Sequence, residues 1–148
     1  MTTSPSMSLL PSLPRRAAGV AAAFLTVNVT GALIAMAMGP VVGPSFGALL
    51  RDPARDGLNL PALTGGYLVI SIVLGLLCTR LGVSSVREGA TLGLTLGLAT
   101  FLGDHLVTSG WSTMPVGAMA LSGLLDPLSV AAAGAALAFV TTWRRERT

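Results

Sequence analysis

Three ionisable side chains lie within or at the edge of long apolar runs: Asp104, His105 and Asp126. Ionisable groups at membrane depth are costly and by default suggest function. A carboxyl and an imidazole together could move a proton, hold a cation, or serve as acid and base on a lipophilic substrate. Asp104 and His105 are adjacent, so on one helix they diverge by about 100° and do not readily share a ligand. Asp126 stands before Pro127, a pairing that suits a helix start, and capping is the expected role of its side chain. On a continuous helix Asp126 would instead lie near mid-bilayer and need a partner. Asn28, in the middle of the first apolar run, is one candidate partner, with Thr26, Thr30 and Ser71 as others.

The same residue types argue against other chemistries. One His, one Cys and scattered carboxylates provide no metal-ligand spacing, so no metal and no cofactor are expected. Cys78 reads as a small apolar residue. No nucleophile is obviously paired to His105, and the glycines recur inside apolar helices rather than in a phosphate-cradling loop.

Four apolar stretches must position these groups, at roughly residues 17–38, 62–82, 89–108 and 115–143. Each reaches or nearly reaches the about 20 residues that cross a hydrocarbon core of about 30 Å. The chain is 52 % hydrophobic and 10 % charged, against about 25 % charged in a soluble domain. That is too little polar surface to cover a water-soluble core. The composition predicts an all-α fold, a transmembrane four-helix bundle over residues 15–143. Residues 1–14 read as a disordered tail and residues 144–148 as a basic tail.

Residues 39–61, with Pro40, Pro44, Pro53 and Pro61, read as the longest loop, with Phe46, Leu49 and Leu50 on one side of a short interfacial turn. The fourth stretch would run about 43 Å as a straight helix. Two solutions fit: a long helix kinked at Pro127, or a short outer segment followed by a helix that starts there. The apolarity of residues 114–125 favours the kinked helix.

With the N-terminus inside, Arg15, Arg16, Arg80, Arg87, Arg144, Arg145 and Arg147 are cytoplasmic, and Arg51 and Arg55 are outside. Seven against two predicts both termini in the cytoplasm of a bacterium, the chain being multi-pass in its cytoplasmic membrane. Bacterial origin is suggested by the Arg-only basic residues and abundant Ala and Gly. The arginines form no run with interleaved aromatics, so nucleic acid is not an expected partner. Residues 15–37 resemble a signal peptide ending in Ala35-Met36-Ala37. However, the apolar run exceeds the roughly 7–15 residues of a usual signal core, which favours a retained first span.

Gly89, Gly93 and Gly97 recur at spacing four on one face of the third span. Continued at three or four, that face reaches Thr100, Asp104 and Thr108, which predicts that Asp104 points inward. The second span carries Tyr67, Ser71, Gly75 and Thr79 in the same way, and the fourth is dense in Ala and Gly over residues 131–138. Such seams suit a four-helix bundle, a homodimer or a larger membrane complex.

Asn28, the Gly39-Pro40 exit, a proline-bounded outer loop and a Gly-rich third span entered by Arg87-Glu88-Gly89 give a layout that resembles small four-span bacterial integral membrane proteins of unknown function. The resemblance covers most of the chain and carries no catalytic residue across. The first-span Glu of small multidrug exporters and the Thr-Phe-Ser-rich tract of small fluoride channels are absent. Packing features outnumber chemical ones, so a non-enzymatic structural or accessory subunit is the first expectation. A small homodimeric transporter or channel using Asp126 or Asp104 is the second. A membrane enzyme with Asp104 and His105 as acid and base is the third.

Overall fold

The computed structural model describes residues 12–47 and 56–143. Residues 1–11 and 144–148 of the expected tails, with Leu49, Leu50, Arg51 and Arg55, lie outside these residues, whereas Leu13 and Pro14, expected in the tail, begin the first helix. The described chain forms four helices long and apolar enough to cross a membrane. The protein is an all-α, multi-pass membrane protein.

The first helix, α1, runs Leu13–Phe46 with Pro14 in its first turn, where a missing N–H breaks no bond. Its buried positions Gly19, Ala23, Val27 and Gly31 recur every four residues and form its inner seam. Contrary to the loop expected from residue 39, α1 continues through Pro40 and Pro44. An internal proline ordinarily costs about 3 kcal/mol or more. Here the two prolines are four apart on one exposed face, while Met38, Val42 and Phe46 on the opposite face are half-buried or buried. Packing on that face offsets the two lost hydrogen bonds.

Helix α2 (Leu60–Arg80) is capped by Asn59, whose side chain accepts from the Ala62 N–H at 3.2 Å. It ends at Gly82, whose φ of 65° lets the Val83 N–H return to the Cys78 carbonyl. Ser85 then caps α3 (Val86–Gly97) by accepting from the Glu88 N–H, and the Glu88 carboxylate accepts from the Ser84 N–H at 2.8 Å. A π-helical turn, Leu98–Leu102, joins α3 to α4 (Gly103–Trp111). A short link leads to α5 (Val116–Leu125), which passes into α6 (Pro127–Thr142).

Asp126 keeps helical angles (φ −56°, ψ −35°), so α5 and α6 form one long span interrupted at Pro127. The kinked-helix reading describes this better than a separate outer segment. The Asp126 side chain makes no capping hydrogen bond, which corrects the capping role expected of it. With helical backbone on both sides, there is no free first turn for it to cap. Its main-chain carbonyl instead accepts from both the N–H and the hydroxyl of Ser129.

The fourth span is the spine of the bundle: 44 % of its core window is buried, against 11–17 % in the other three. α3 packs antiparallel on α6 at backbone contact. A methyl at Gly89 would lie 2.6 Å from Ala138 Cβ, one at Gly93 would lie 2.9 Å from the Val130 carbonyl carbon, and one at Gly97 would lie 2.7 Å from Pro127 Cα. α1 covers the other side of α6 at Gly19, which meets Thr141 and Leu137. α2 leans on α1, with Gly75 under Val20 and Gly31 under the Tyr67 hydroxyl. These contacts put the start of α1 and the end of α6 at the same end of the bundle.

The glycine seams at Gly89, Gly93, Gly97 and Gly75 are thus real contacts. The rest of the second-span stripe shifts: Ser71, Leu74 and Cys78 are buried, while Thr79 is only half-buried. Several hydroxyls inside the bundle are satisfied within their own helices. Thr30, Ser71, Thr79 and Thr141 each donate to the carbonyl one turn earlier. Cohesion therefore rests on close packing around Val27, Leu74, Val130, Ala133 and Leu137, all nearly or wholly buried.

Candidate functional site

The π-turn decides which face of the third span turns inward. On a regular helix a step of four residues drifts by about 40°, so the stripe from Gly89 would reach the opposite face by residue 109. One extra residue in the turn resets the drift by about 100°. The Gly103 N–H bonds to the Leu98 carbonyl, five residues back. The Thr100 hydroxyl donates to the Leu96 carbonyl at 2.9 Å and to that of Gly97 at 3.3 Å, taking up acceptors in the widened turn. Gly123 of α5 allows the bulge to be seated: a methyl there would lie 2.8 Å from Leu102 Cα.

As a result Phe101, His105 and Ser109 face the bundle, and Thr100 and Asp104 are exposed. The inward Asp104 expected from straight-helix spacing is corrected by this single-residue widening. His105 takes the place expected of Asp104. Its Nε2 faces Asp126 Oδ2 at 4.0 Å, with the two side chains 22 % and 32 % exposed. The Phe101 ring meets the imidazole edge-on, with centroids 6.4 Å apart. Nδ1 is buried and makes no hydrogen bond.

The pair opens onto a cleft of about 380 Å³ between the C-terminal half of α1, α4 and α5. Ile34, Met38, Val42, Phe46, Met114 and Met119 give it apolar walls, while His105, Asp126 and Ser122 supply polarity. Ligand sites typically combine such walls with a few convergent polar groups in about 300–1,000 Å³. The α1 wall exists because the helix continues past Gly39-Pro40.

Asn28 does not join this site. Its amide donates to the Phe24 carbonyl at 2.7 Å within α1. Among the described residues no three of His, Cys, Asp and Glu gather as a metal site would require. Sequence reasoning did not single out Ser122, the three methionines or the last turns of α1. No local signal could have found this face, because the spacing of four through Gly97, Phe101, His105 and Ser109 also suits a regular helix, as Gly19, Ala23, Val27 and Gly31 of α1 show.

Comparison of the chain with protein-family models, curated proteins and solved structures finds no match.

Proposed function

We propose that this protein is a non-enzymatic accessory subunit of the bacterial cytoplasmic membrane that holds a small amphipathic amine in its outer cleft. The observation that carries this is the convergence of His105 and Asp126 on a cleft whose other walls are apolar and rich in methionine. A carboxyl beside the opening suits an ammonium head, and flexible thioethers adapt to an alkyl tail. His105 can share or replace the ligand's proton.

A binding subunit is favoured over a channel by the closed centre of the bundle, where Val27, Leu74 and Val130 are fully buried. The acid–base pair of the third expectation is weakened, because Asp104 faces away from His105. The proposed topology has the start of α1 and the end of α6 in the cytoplasm. Supporting it, Arg16 and Arg80 line one groove at that end, and Arg15 and Arg87 lie on the adjoining helix ends, whereas Asp56, Asp104 and Asp126 lie toward the other.

Photolabelling of the purified full chain with a photoreactive dodecylamine tests the site. Label should map to the cleft, excess dodecylamine should protect it, and dodecanol should protect less. Asp126→Asn should lower amine protection about tenfold, the loss of one charge-assisted contact. Ala35→Trp, at an exposed position on the cleft rim, should abolish labelling without altering the helical spectrum. Label spread evenly over lipid-facing residues, or unchanged in Ala35→Trp, would overturn the proposal.

A further inference from the structure

The widened turn that brings His105 into the bundle leaves Asp104 on the side that faces away from it. The two are neighbours in the chain, and His105 meets Asp126 at 4.0 Å, so all three share one level in the membrane. Asp126 stands ten residues, about 15 Å, into the fourth span from Val116. Asp104 stands seven residues, about 10 Å, from the end of the third span at Trp111. Its side chain is exposed at that depth and makes no hydrogen bond or ion pair with any described residue. The hydroxyl of Thr100, one turn back, is turned to the Leu96 and Gly97 carbonyls instead.

The face that carries Asp104 has room for another helix. On the turn of α4, Gly103, Val107, Gly110 and Trp111 fall on this side, opposite His105 and Ser109. Val107 and Trp111 are 64 % and 83 % exposed. A methyl at Gly110 would meet nothing within 4 Å, and one at Gly103 only the Leu98 carbonyl oxygen at 4.0 Å. Small residues on an open face let a second backbone come close where lipid gives no hydrophobic drive.

Lipid tails suit Val107, but a carboxylate at this depth is costly unless a cation meets it. A second copy inserted the same way brings none from its described residues. There, Arg15, Arg16, Arg80 and Arg87 all belong to helix ends at the far end of the bundle. We propose that this face of α4 docks a membrane-spanning helix of another protein, with an arginine or lysine of that helix on Asp104. The glycines admit the partner's backbone, and the long basic stem carries its charge along the helix to the carboxylate. This rests on the accessory-subunit part of the proposed function, for which it names the partner's chemistry. It needs no amine in the cleft, so loss of dodecylamine labelling and loss of this docking are separate results.

The probe is a synthetic single-span Leu-Ala peptide of about 24 residues with one central arginine, set against the same peptide with glutamine there. Energy transfer from the donor-labelled full chain to acceptor-labelled peptide is read in phosphatidylcholine vesicles. The arginine peptide should reach half-maximal transfer at about tenfold lower peptide-to-lipid ratio, the effect of one charge-assisted contact. Asp104→Asn should bring the two peptides level, and Asp104→Glu should keep the preference. Equal transfer to both peptides from the wild type, or an arginine preference that survives Asp104→Asn, would overturn the proposal. So would transfer between two labelled copies that Asp104→Asn abolishes and the arginine peptide does not compete, which would make this face a homodimer seam. The comparison of peptides on the wild type needs no substitution, so a misfolded variant does not remove the test.

Discussion

At Gly93 a methyl group would stand 2.9 Å from the Val130 carbonyl carbon and 3.0 Å from Ala131 Cα, backbone atoms that yield only if α6 moves. Gly66 in α2 has nothing within 4 Å of the same position. Gly93→Ala should therefore cost about 1–3 kcal/mol of overpacking, while Gly66→Ala should be neutral or slightly stabilising through helix propensity. Reversible unfolding in mixed micelles reads both, and equal effects would contradict the α3–α6 backbone contact. The glycine stripe was legible from its spacing alone. The fate of Asn28 was not, because a polar side chain in a span can turn to a neighbouring helix or to its own carbonyls. The amide of Asn28 takes the Phe24 carbonyl, as hydroxyls in the bundle do with theirs.

The π-turn is the element that makes the site. It swaps the inward face from Asp104 to His105, and it is seated where Gly123 lets α5 approach Leu102. In a Cys78→Ser background, the pair His105→Cys and Asp126→Cys should be bridged by a short bifunctional thiol reagent. The pair Asp104→Cys and Asp126→Cys should not. The reverse result would mean that the third span is a regular helix. The C-terminal third of α1 is the second element that spacing rules misassigned. Pro40 and Pro44 looked like an exit because prolines usually end helices. Their common exposed face, opposite Val42, is what allows the helix to continue and to wall the cleft.

On the scale of the molecule, the bundle is polar in its charges and nearly uniform in its apolar surface. Arg15, Arg16, Arg80 and Arg87 belong to helix ends on one side, and the fourth span runs as a buried spine between α1 and α3. That charge bias should set insertion. A fluorescent-protein fusion after Trp143 should be bright and an alkaline phosphatase fusion there inactive, with the opposite pattern at Ser112. An active phosphatase after Trp143 would invert the proposed orientation. The bundle's outer faces, such as Val69, Ile72 and Leu76 of α2, are exposed apolar surface that lipid covers.

The number of spans, the approximate lengths of the second, third and fourth, and their glycine seams were determined by the sequence itself. In a bilayer each helix must satisfy its own backbone, so an apolar run of sufficient length declares itself without reference to its neighbours. The identity of the inward-facing ionisable residue on the third span was decided only by tertiary structure. So was the meeting of His105 with Asp126 across 20 intervening residues. Both depend on one extra residue in a helical turn. A local pattern of residues cannot distinguish that turn from a regular one, and its seat against Gly123 belongs to a different helix.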